Sequence, residues 1–329
     1  MKPKLLIVEL WGLGDLVIAT PFIQAAAEKY ELTLLSKPYA QELGARFWPQ
    51  VKTIAFDAPW TAFTKKYHVW RWPVSTIAPL VQRLTAEKFE VGLSARWDPR
   101  DHLLLKTIGA RKRLGFPRMG SQIFLTQPLP RPDPALHRYE SWRTIGASLG
   151  IALPRREELS RPVSTGGGKI LIHTGAKQSL RVWPLENFRQ IVRRLREQGH
   201  EVLVACDPAQ RAWWFGVGEQ EVITPSTVTD LFALIDQAAA FIGNDSGPGH
   251  IAAFCGVPTF TFFGPQLPEW FAPLHPQSEW IEGKACPYKP CSDYCRFSQP
   301  HCLTGVTVDE AREKIEVFLK NTNKLLEPA

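Results

Sequence analysis

Phe241-Ile242-Gly243-Asn244-Asp245-Ser246-Gly247-Pro248-Gly249-His250 is the stretch whose reading decides the fold. Ala238 to Ile242 is a short apolar run, as expected for a strand covered on both faces. Gly243 to Pro248 is turn chemistry, and Pro248 suits the first turn of a helix, where its missing N–H costs nothing. His250 to Cys255 then reads as a short apolar helix, and Val257 to Phe263 as the next strand, closed by Gly264-Pro265. Strand, polar turn, helix and strand make a βαβ unit. Free N–H groups at such a helix start, aided by the helix dipole, suit a phosphate. Asp245, Ser246 and His250 are placed to touch a ribose or a pyrophosphate.

The same alternation extends in both directions. Toward the N-terminus, strands are expected at Leu5–Leu10, Leu32–Leu35, Val51–Phe56, Phe89–Leu93 and Arg113–Phe116. Helices are expected at Asp15–Lys29, Val74–Lys88 with a kink or split at Pro79, Asp101–Ile108 and His137–Leu149. Pro154, Pro162 and Gly166-Gly167-Gly168 then interrupt the pattern as a linker would. It resumes with strands at Lys169–His173, Glu201–Cys206 and Glu221–Thr224 and helices at Pro184–Gln198 and Thr229–Gln237. A final helix at Val308–Lys320 carries a capping box, Thr307 with Glu310. The expected organisation is a Rossmann-like domain over 1–160, a linker over 161–168 and a second Rossmann-like domain over 169–329. Open α/β sheets bind ligands at the carboxyl ends of their strands, so a cleft shared by the domains is the expected site.

Composition narrows the function classes. The chain has 329 residues, is 44% hydrophobic and carries a net charge of +7. Residues 1–165 hold 24 Lys and Arg against 14 Asp and Glu, a balance of +10, while the remainder stands at −3. The basic half should meet something anionic: a nucleic acid, an acidic membrane surface or a phosphorylated glycolipid. No nucleic-acid module is readable, so a nucleic-acid partner is not expected. No apolar run is long enough to span a bilayer. Met1-Lys2-Pro3-Lys4 leads directly into a strand without the h-region of a signal peptide, which points to the cytoplasm. Twelve Trp are present, several in Trp60-x-x-Phe63-x-Lys65-Lys66-Tyr67-His68-x-Trp70-Arg71-Trp72-Pro73. Such mixed aromatics and bases suit a membrane interface; inward-packed rings with solvated bases would give the same pattern.

Three motifs, spanning residues 12 to 265 in order, carry a family resemblance. Asp245-Ser-Gly-Pro-x-His250, followed by Ala252-Ala253, Gly256-Val-Pro258 and Phe262-Phe-Gly-Pro265, resembles the signature of glycosyltransferase family 9, the ADP-heptose:lipopolysaccharide heptosyltransferase family. The more usual form has Thr where this chain has Ser246. Gly12-Leu13-Gly14-Asp15 with Thr20-Pro21 resembles the family's N-terminal Gly-Asp loop, and His173-Thr-Gly-Ala176 with Arg181-Val-Trp-Pro184 its basic-Trp-Pro motif. The resemblance implies a GT-B architecture, with the acceptor in the N-terminal domain and the nucleotide sugar in the C-terminal one. It implies an inverting, metal-independent transfer of a sugar, expected to be heptose from ADP-heptose. The acceptor would be a lipopolysaccharide-core or other lipid-linked saccharide at the inner face of the cytoplasmic membrane. No cofactor is then expected beyond the ADP-sugar donor.

Inverting transfer needs one base to take the acceptor proton. The resemblance gives that role to Asp15, with Gly12 and Gly14 shaping the acceptor loop; an Asp here would also serve as an ordinary helix cap. Charge grows on the leaving diphosphate, so positive groups and backbone donors are needed. Arg181 and Lys177 are the side-chain candidates, the N–H groups of Ser246 and Gly247 complete the cradle, and His250 and Asp245 would contact the donor. A dinucleotide enzyme is a rival for Gly12-x-Gly14, but Val17 stands where a third glycine belongs. A different nucleotide sugar or acceptor, a non-catalytic nucleotide- or carbohydrate-binding protein and a nucleotide-sugar epimerase remain as alternatives.

Cys286, Cys291, Cys295 and Cys302 form a separate cluster. Their spacing is compatible with a structural metal, with free thiols or with disulfides, and is not the paired Cys-x-x-Cys of common zinc modules. Cys206 and Cys255 lie in apolar contexts and are expected to be buried.

Overall fold

A computed structural model describes residues 2–62, 68–159, 168–291 and 294–323. Residues 161–167 of the expected linker, and Phe63, Lys65, Lys66 and Tyr67 of the aromatic-basic segment, lie outside the described residues. The chain divides into two compact units, Met1–Pro154 and Arg155–Ala329. Each is an α/β unit on a parallel sheet, the fold class expected.

In the first unit the strands are β1 (Lys4–Glu9), β2 (Glu31–Ser36), β3 (Lys52–Ala55), β4 (Val91–Ser94), β5 (Lys112–Gly115) and β6 (Gln127–Pro128). The helices are α1 (Leu13–Lys29), α2 (Ala40–Phe47), α3 (Val74–Ala86), α4 (Pro99–Thr107) and α5 (Tyr139–Ser148). The sheet order is β3-β2-β1-β4-β5-β6, so the order reverses beside β1. Leu5 to Val8 on β1 are fully buried, as a central parallel strand requires. The loops after β1 and β4 therefore leave the sheet next to each other, at the switch point where doubly wound sheets bind ligands.

The second unit has β7 (Lys169–His173), β8 (Val202–Ala205), β9 (Ala238–Asn244), β10 (Thr259–Phe263) and β11 (Ser278–Glu282). Its helices are α6 (Leu185–Glu197), α7 (Arg211–Gly216), α8 (Val228–Ile235), α9 (Gly247–Phe254), α10 (Pro268–Phe271), α11 (His301–Thr304) and α12 (Val308–Asn323). The order is β11-β10-β9-β7-β8, with the switch between β7 and β9. Those two strands pair His173 with Gly243. A side chain at Gly243 would put its Cβ 2.7 Å from the His173 carbonyl oxygen, so only glycine allows that approach.

Aromatic rings sit among the aliphatic side chains of this unit's core. Trp183 is fully buried, stacks on Phe262 at 4.2 Å and meets Phe188 edge-on at 5.0 Å. Its indole N–H donates to the Val306 carbonyl at 3.0 Å, which tethers the Trp-Pro motif to the chain just before α12. The expected capping box opens α12: Glu310 N–H donates to Thr307 Oγ1, and the Glu310 carboxylate accepts from the Thr307 N–H.

Some local expectations change. The strand expected at Glu221–Thr224 reduces to one bridge, Ala205 to Ile223, because Pro225 follows and cannot continue a ladder. α3 runs unbroken through Pro79. Most of that helix faces solvent, where water can take the carbonyl that Pro79 leaves unbonded. The helices α2, α7, α10 and α11 and the edge strands β6 and β11 were not expected, being too short to show a periodicity.

Candidate functional site

In the second unit the resemblance-bearing motifs converge at the carboxyl ends of β7 and β9. Asn244, the last residue of β9, organises them. Its Oδ1 accepts the backbone N–H of Trp183 at 2.9 Å, and its Nδ2 donates to the carbonyl of Thr174 at 2.9 Å. One buried side-chain amide thus pins the segment after β7 and the basic-Trp-Pro segment to the end of β9. Thr174 is tied further: its Oγ1 accepts the indole N–H of Trp214 at 3.2 Å and bonds Gln210 at 3.0 Å. Gly175 is required beside it, since a Cβ there would fall 2.3 Å from the Asp207 carboxylate.

This lacing holds Arg181 at the end of a short 3-10 turn, Ser179–Arg181. Arg181 Nη1 lies 3.4 Å from Asp245 Oδ2. Its Nε is buried and has no hydrogen-bond partner among the described residues; the same holds for Nδ1 of His250, which is 5% exposed. Burial, and secondarily the charge on Arg181, push the His250 imidazole down to about 4, so it is neutral at physiological pH. His173 is likewise held below its ordinary value by burial. Ser246 is the N-cap of α9 and turns its hydroxyl back to the Asn244 carbonyl at 3.2 Å. Gly247 is the first residue of α9, and Pro248 occupies the opening turn as expected. Arg181, Asp245, Ser246, Gly247 and His250 are therefore brought to one place. Lys177 is exposed in the turn after β7. Asn244 was missed in the sequence, where it reads as one more turn residue.

In the first unit Asp15 is the third residue of α1, directly beyond β1, and not its N-cap. Gly12 is the N-cap and donates its N–H to Asp15 Oδ2 at 3.1 Å. Gly14 lies within the first helical turn. Several residues that sequence reading passed over surround Asp15. Glu9 ends β1, is 1% exposed and accepts the Trp11 N–H at 3.0 Å on Oε1, while Oε2 has no hydrogen-bond partner among the described residues. Burial, then the negative charge of Asp15, raise the Glu9 carboxyl to about 8. Tyr39 donates its hydroxyl to the Trp11 carbonyl at 2.6 Å. Arg96, buried after β4, pairs with Asp98 at 3.2 Å and Asp101 at 3.4 Å. Arg138, just before α5, is held below its ordinary value by burial, with the negative charge of Asp15 working against that.

The aromatic-basic segment divides between inside and outside. Trp60 is buried, donates to Asp101 at 2.9 Å and packs on Trp72 at 5.4 Å, whereas Trp70 is 74% exposed and stacked on His68. None of the described helices is long and apolar enough to cross a membrane.

The sequence left the cysteine run open between a metal, free thiols and disulfides. Among the described residues no group of three or more His, Cys, Asp or Glu stands where it could hold a metal ion, and Cys286, Cys291, Cys295 and Cys302 are thiols without disulfides. Cys302 is buried in α11, and burial pushes its thiol up to about 11, while Cys291 and Cys295 turn their sulfurs to the carbonyls of Tyr288 and Gln299.

Each unit is thus built on a parallel sheet, with basic and aromatic side chains gathered at the end of β1 in the first and a laced Arg-Asp-His group in the second. The model of glycosyltransferase family 9 (heptosyltransferase) matches residues 77–300, and the chain belongs to that family. It is 32% identical over 104 residues to lipopolysaccharide heptosyltransferase 3 of Escherichia coli K12, a match covering 29% of this chain and 30% of that one. It is 25% identical over 184 residues to lipopolysaccharide heptosyltransferase 1 of Pseudomonas aeruginosa, covering 50% and 51%. The matches thus span about a third to a half of these relatives. Among solved structures, the family 9 glycosyl transferase of Veillonella parvula superposes with a TM-score of 0.77 at 17% identity, covering 98% of both chains. The E. coli heptosyltransferase WaaC with ADP gives 0.73 at 15% identity, covering 96% of this chain and 99% of that one. At these identities the likeness establishes the fold.

Proposed function

We propose that this protein is an inverting, metal-independent glycosyltransferase that moves heptose from ADP-heptose to a lipopolysaccharide-core or other lipid-linked saccharide. The observation that carries the reading is the pair of buried polar atoms without a hydrogen-bond partner among the described residues, Arg181 Nε and His250 Nδ1, gathered beside Asp245 and the start of α9. Buried polar atoms are rarely left unbonded, and a diphosphate would satisfy them. Family membership and the printed functions of the relatives, lipopolysaccharide heptosyltransferases, support the sugar and the acceptor class. The ADP bound by the WaaC structure supports the nucleotide.

In this reading the first unit takes the acceptor and the second the donor. Asp15 removes the proton from the attacking hydroxyl as the bond from the anomeric carbon to the diphosphate oxygen breaks. Single displacement inverts the anomeric configuration. Arg181, the α9 start at Ser246 and Gly247, and His250 take up the charge that grows on the departing ADP. Neutral His250 offers one donor and one acceptor, suited to phosphate or sugar hydroxyl. Lys177, exposed nearby in sequence, adds a cation once a diphosphate is seated. Exposed Trp70 beside Arg71 supports peripheral contact with the inner face of the cytoplasmic membrane.

A thermal-shift titration with ADP, UDP, GDP and CMP is the first test. A ligand at 100 times its Kd adds about 2.7 kcal/mol of stability. Selective stabilisation by ADP is expected, followed by turnover of ADP-heptose that persists in EDTA and gives a product of inverted anomeric configuration. Preference for another nucleotide would redirect the donor, and no response to any would favour a non-catalytic role.

A further inference from the structure

One face of the first unit plays no part in the reading so far. There α4 packs beside the 3-10 turn Ser121–Phe124. The two are joined from beneath: His102 Nδ1 and Ser121 Oγ, both buried, are hydrogen-bonded at 2.9 Å. Arg113 of β5 reaches the same turn and donates its Nε–H to the Phe124 carbonyl at 2.7 Å. The outer side chains are apolar. Leu103 of α4 is 46% exposed, Ile123 of the turn 68%, and Met119, just before the turn, 85%. Lys106, one helical turn on from Leu103, holds its ammonium 5.5 Å over the Phe124 ring. Arg118 is exposed beside Met119. This face belongs to the β4 and β5 side of the sheet and not to the loop that carries Asp15.

Backbone and charge both point outward from it. Met119 and Gly120 have φ of +51° and +80°, and the Ser121 N–H donates to the Arg118 carbonyl at 3.1 Å. That is a tight turn with both central residues left-handed, a place that favours Asn, Asp or Gly over Met. The chain thus holds a large apolar side chain in water where a small polar one would fold more easily, and backbone strain of this kind gathers at functional positions. The charge is one-sided: residues 102–132 carry six Lys and Arg and no Asp or Glu. An anionic bilayer answers both features. Its phosphates meet the cations, while apolar tips enter the boundary between headgroups and acyl chains. A nucleic acid or an acidic protein would answer the charge alone.

We propose that Leu103, Met119 and Ile123, flanked by Lys106 and Arg118, form a docking surface for a bilayer of anionic phospholipid. Met119 and Ile123 enter at headgroup depth, and the two cations pair with lipid phosphates. The hydrogen bonds beneath the turn keep these side chains presented together before any membrane arrives. The surface deepens the peripheral contact proposed above and rests on that reading of a lipid-linked acceptor, but it uses residues other than Trp70. It holds the first unit against the plane in which such an acceptor lies.

The test uses the full chain with vesicles of phosphatidylcholine alone and of equal parts phosphatidylcholine and phosphatidylglycerol. Binding is read by co-sedimentation, with ADP affinity measured in parallel. Expected is binding to the anionic vesicles about tenfold or more tighter than to the neutral ones, falling as salt is raised. Met119→Asn suits the left-handed backbone better than Met, so it should keep or raise Tm while weakening vesicle binding severalfold. A purely structural role for Met119 would not separate the two readouts. Ile123→Ser should add to the loss, and Lys106→Glu with Arg118→Glu should lower anionic binding by roughly tenfold or more. ADP affinity should not change in any of these variants. Equal binding to both vesicles, or anionic binding unchanged in the Met119→Asn/Ile123→Ser and charge-reversal variants, would overturn the proposal. So would loss of binding in Trp70→Ser with the Met119 variant at the wild-type level, which would move the contact to the other segment. Self-association that Met119→Asn removes, without vesicle binding, would give the face to a second copy of the chain and overturn it too. Vesicle binding intact without transfer from ADP-heptose would remove the transferase reading and leave the surface; transfer without vesicle binding would do the reverse.

Discussion

Arg181 Nη1 stands 3.4 Å from Asp245 Oδ2, so the basic position of one motif and the acidic position of another meet across 64 residues of chain. The pair holds the guanidinium in place before any ligand arrives, with Nε buried and unpartnered among the described residues. Preorganised charge of this kind stabilises a developing anion without reorganisation. Arg181→Ala should therefore weaken ADP binding by roughly 10- to 100-fold, the worth of one or two charge-assisted hydrogen bonds. Calorimetric titration with ADP checks it, and unchanged affinity would take Arg181 out of the phosphate site.

Asp15 can be separated from binding. Asp15→Asn keeps an oxygen able to accept the Gly12 N–H while removing the base, so the start of α1 should survive. Turnover should fall by about 100- to 10,000-fold with ADP affinity unaltered. A large loss of ADP affinity, or near-normal turnover, would count against the base.

Asn244 joins three segments through two hydrogen bonds inside the protein. Asn244→Leu should leave the Trp183 N–H unsatisfied, at a cost of roughly 1–3 kcal/mol, and the Thr174 carbonyl with the Gln210 amide as its remaining donor. A lower Tm together with weaker ADP binding is expected. If thermal unfolding and ADP titration both match the wild type, the lacing is not what holds Arg181.

Glu9 gives a pH signature. Its folded-state value, about 8, lies above the ordinary 4.5, so its contribution is fully present below pH 4.5 and is lost as pH rises toward 8. The loss approaches about 1.4 kcal/mol per pH unit within that window. Glu9→Gln removes this slope. The variant should match the wild type near pH 4.5 and exceed it in stability at pH 8, by denaturant unfolding at both values. Equal stability at pH 8 would show Glu9 to be ionised and compensated.

His250 acts with the opposite sign. Its folded value of about 4 lies below the ordinary 6.5, so stability is full above pH 6.5 and falls as pH drops toward 4. His102, also buried and held at about 4, steepens the same window. His250→Gln should reduce the acid sensitivity between pH 6.5 and 4 without removing it. An unaltered acid slope would mean that His250 already protonates at its ordinary value when folded.

Much of this was legible in the chain, because the signals are local. Ala238 to Ile242, the turn after it and Pro248 specify strand, turn and helix by burial pattern and backbone preference alone, and the structure has β9 and α9 there. Asp15, Arg181, Asp245 and His250 announced themselves by residue type within recognisable spacing. The spacing of the cysteines left metal, thiols and disulfides open because spacing says nothing of depth: Cys302 is inside a helix packed into the unit, and burial pushes its thiol up to about 11.

What the tertiary structure alone decided are relationships between distant segments. The amide of Asn244 finds its two partners only once β7 and β9 lie side by side. Trp11 and Arg96 are far apart in the chain and come within cation–ring distance only because the loops after β1 and β4 leave adjacent strands. Local preferences along a chain determine which elements form and where they turn. Which side chains then share a dielectric, a face or a proton is set by strand order, and a sequence does not display that order.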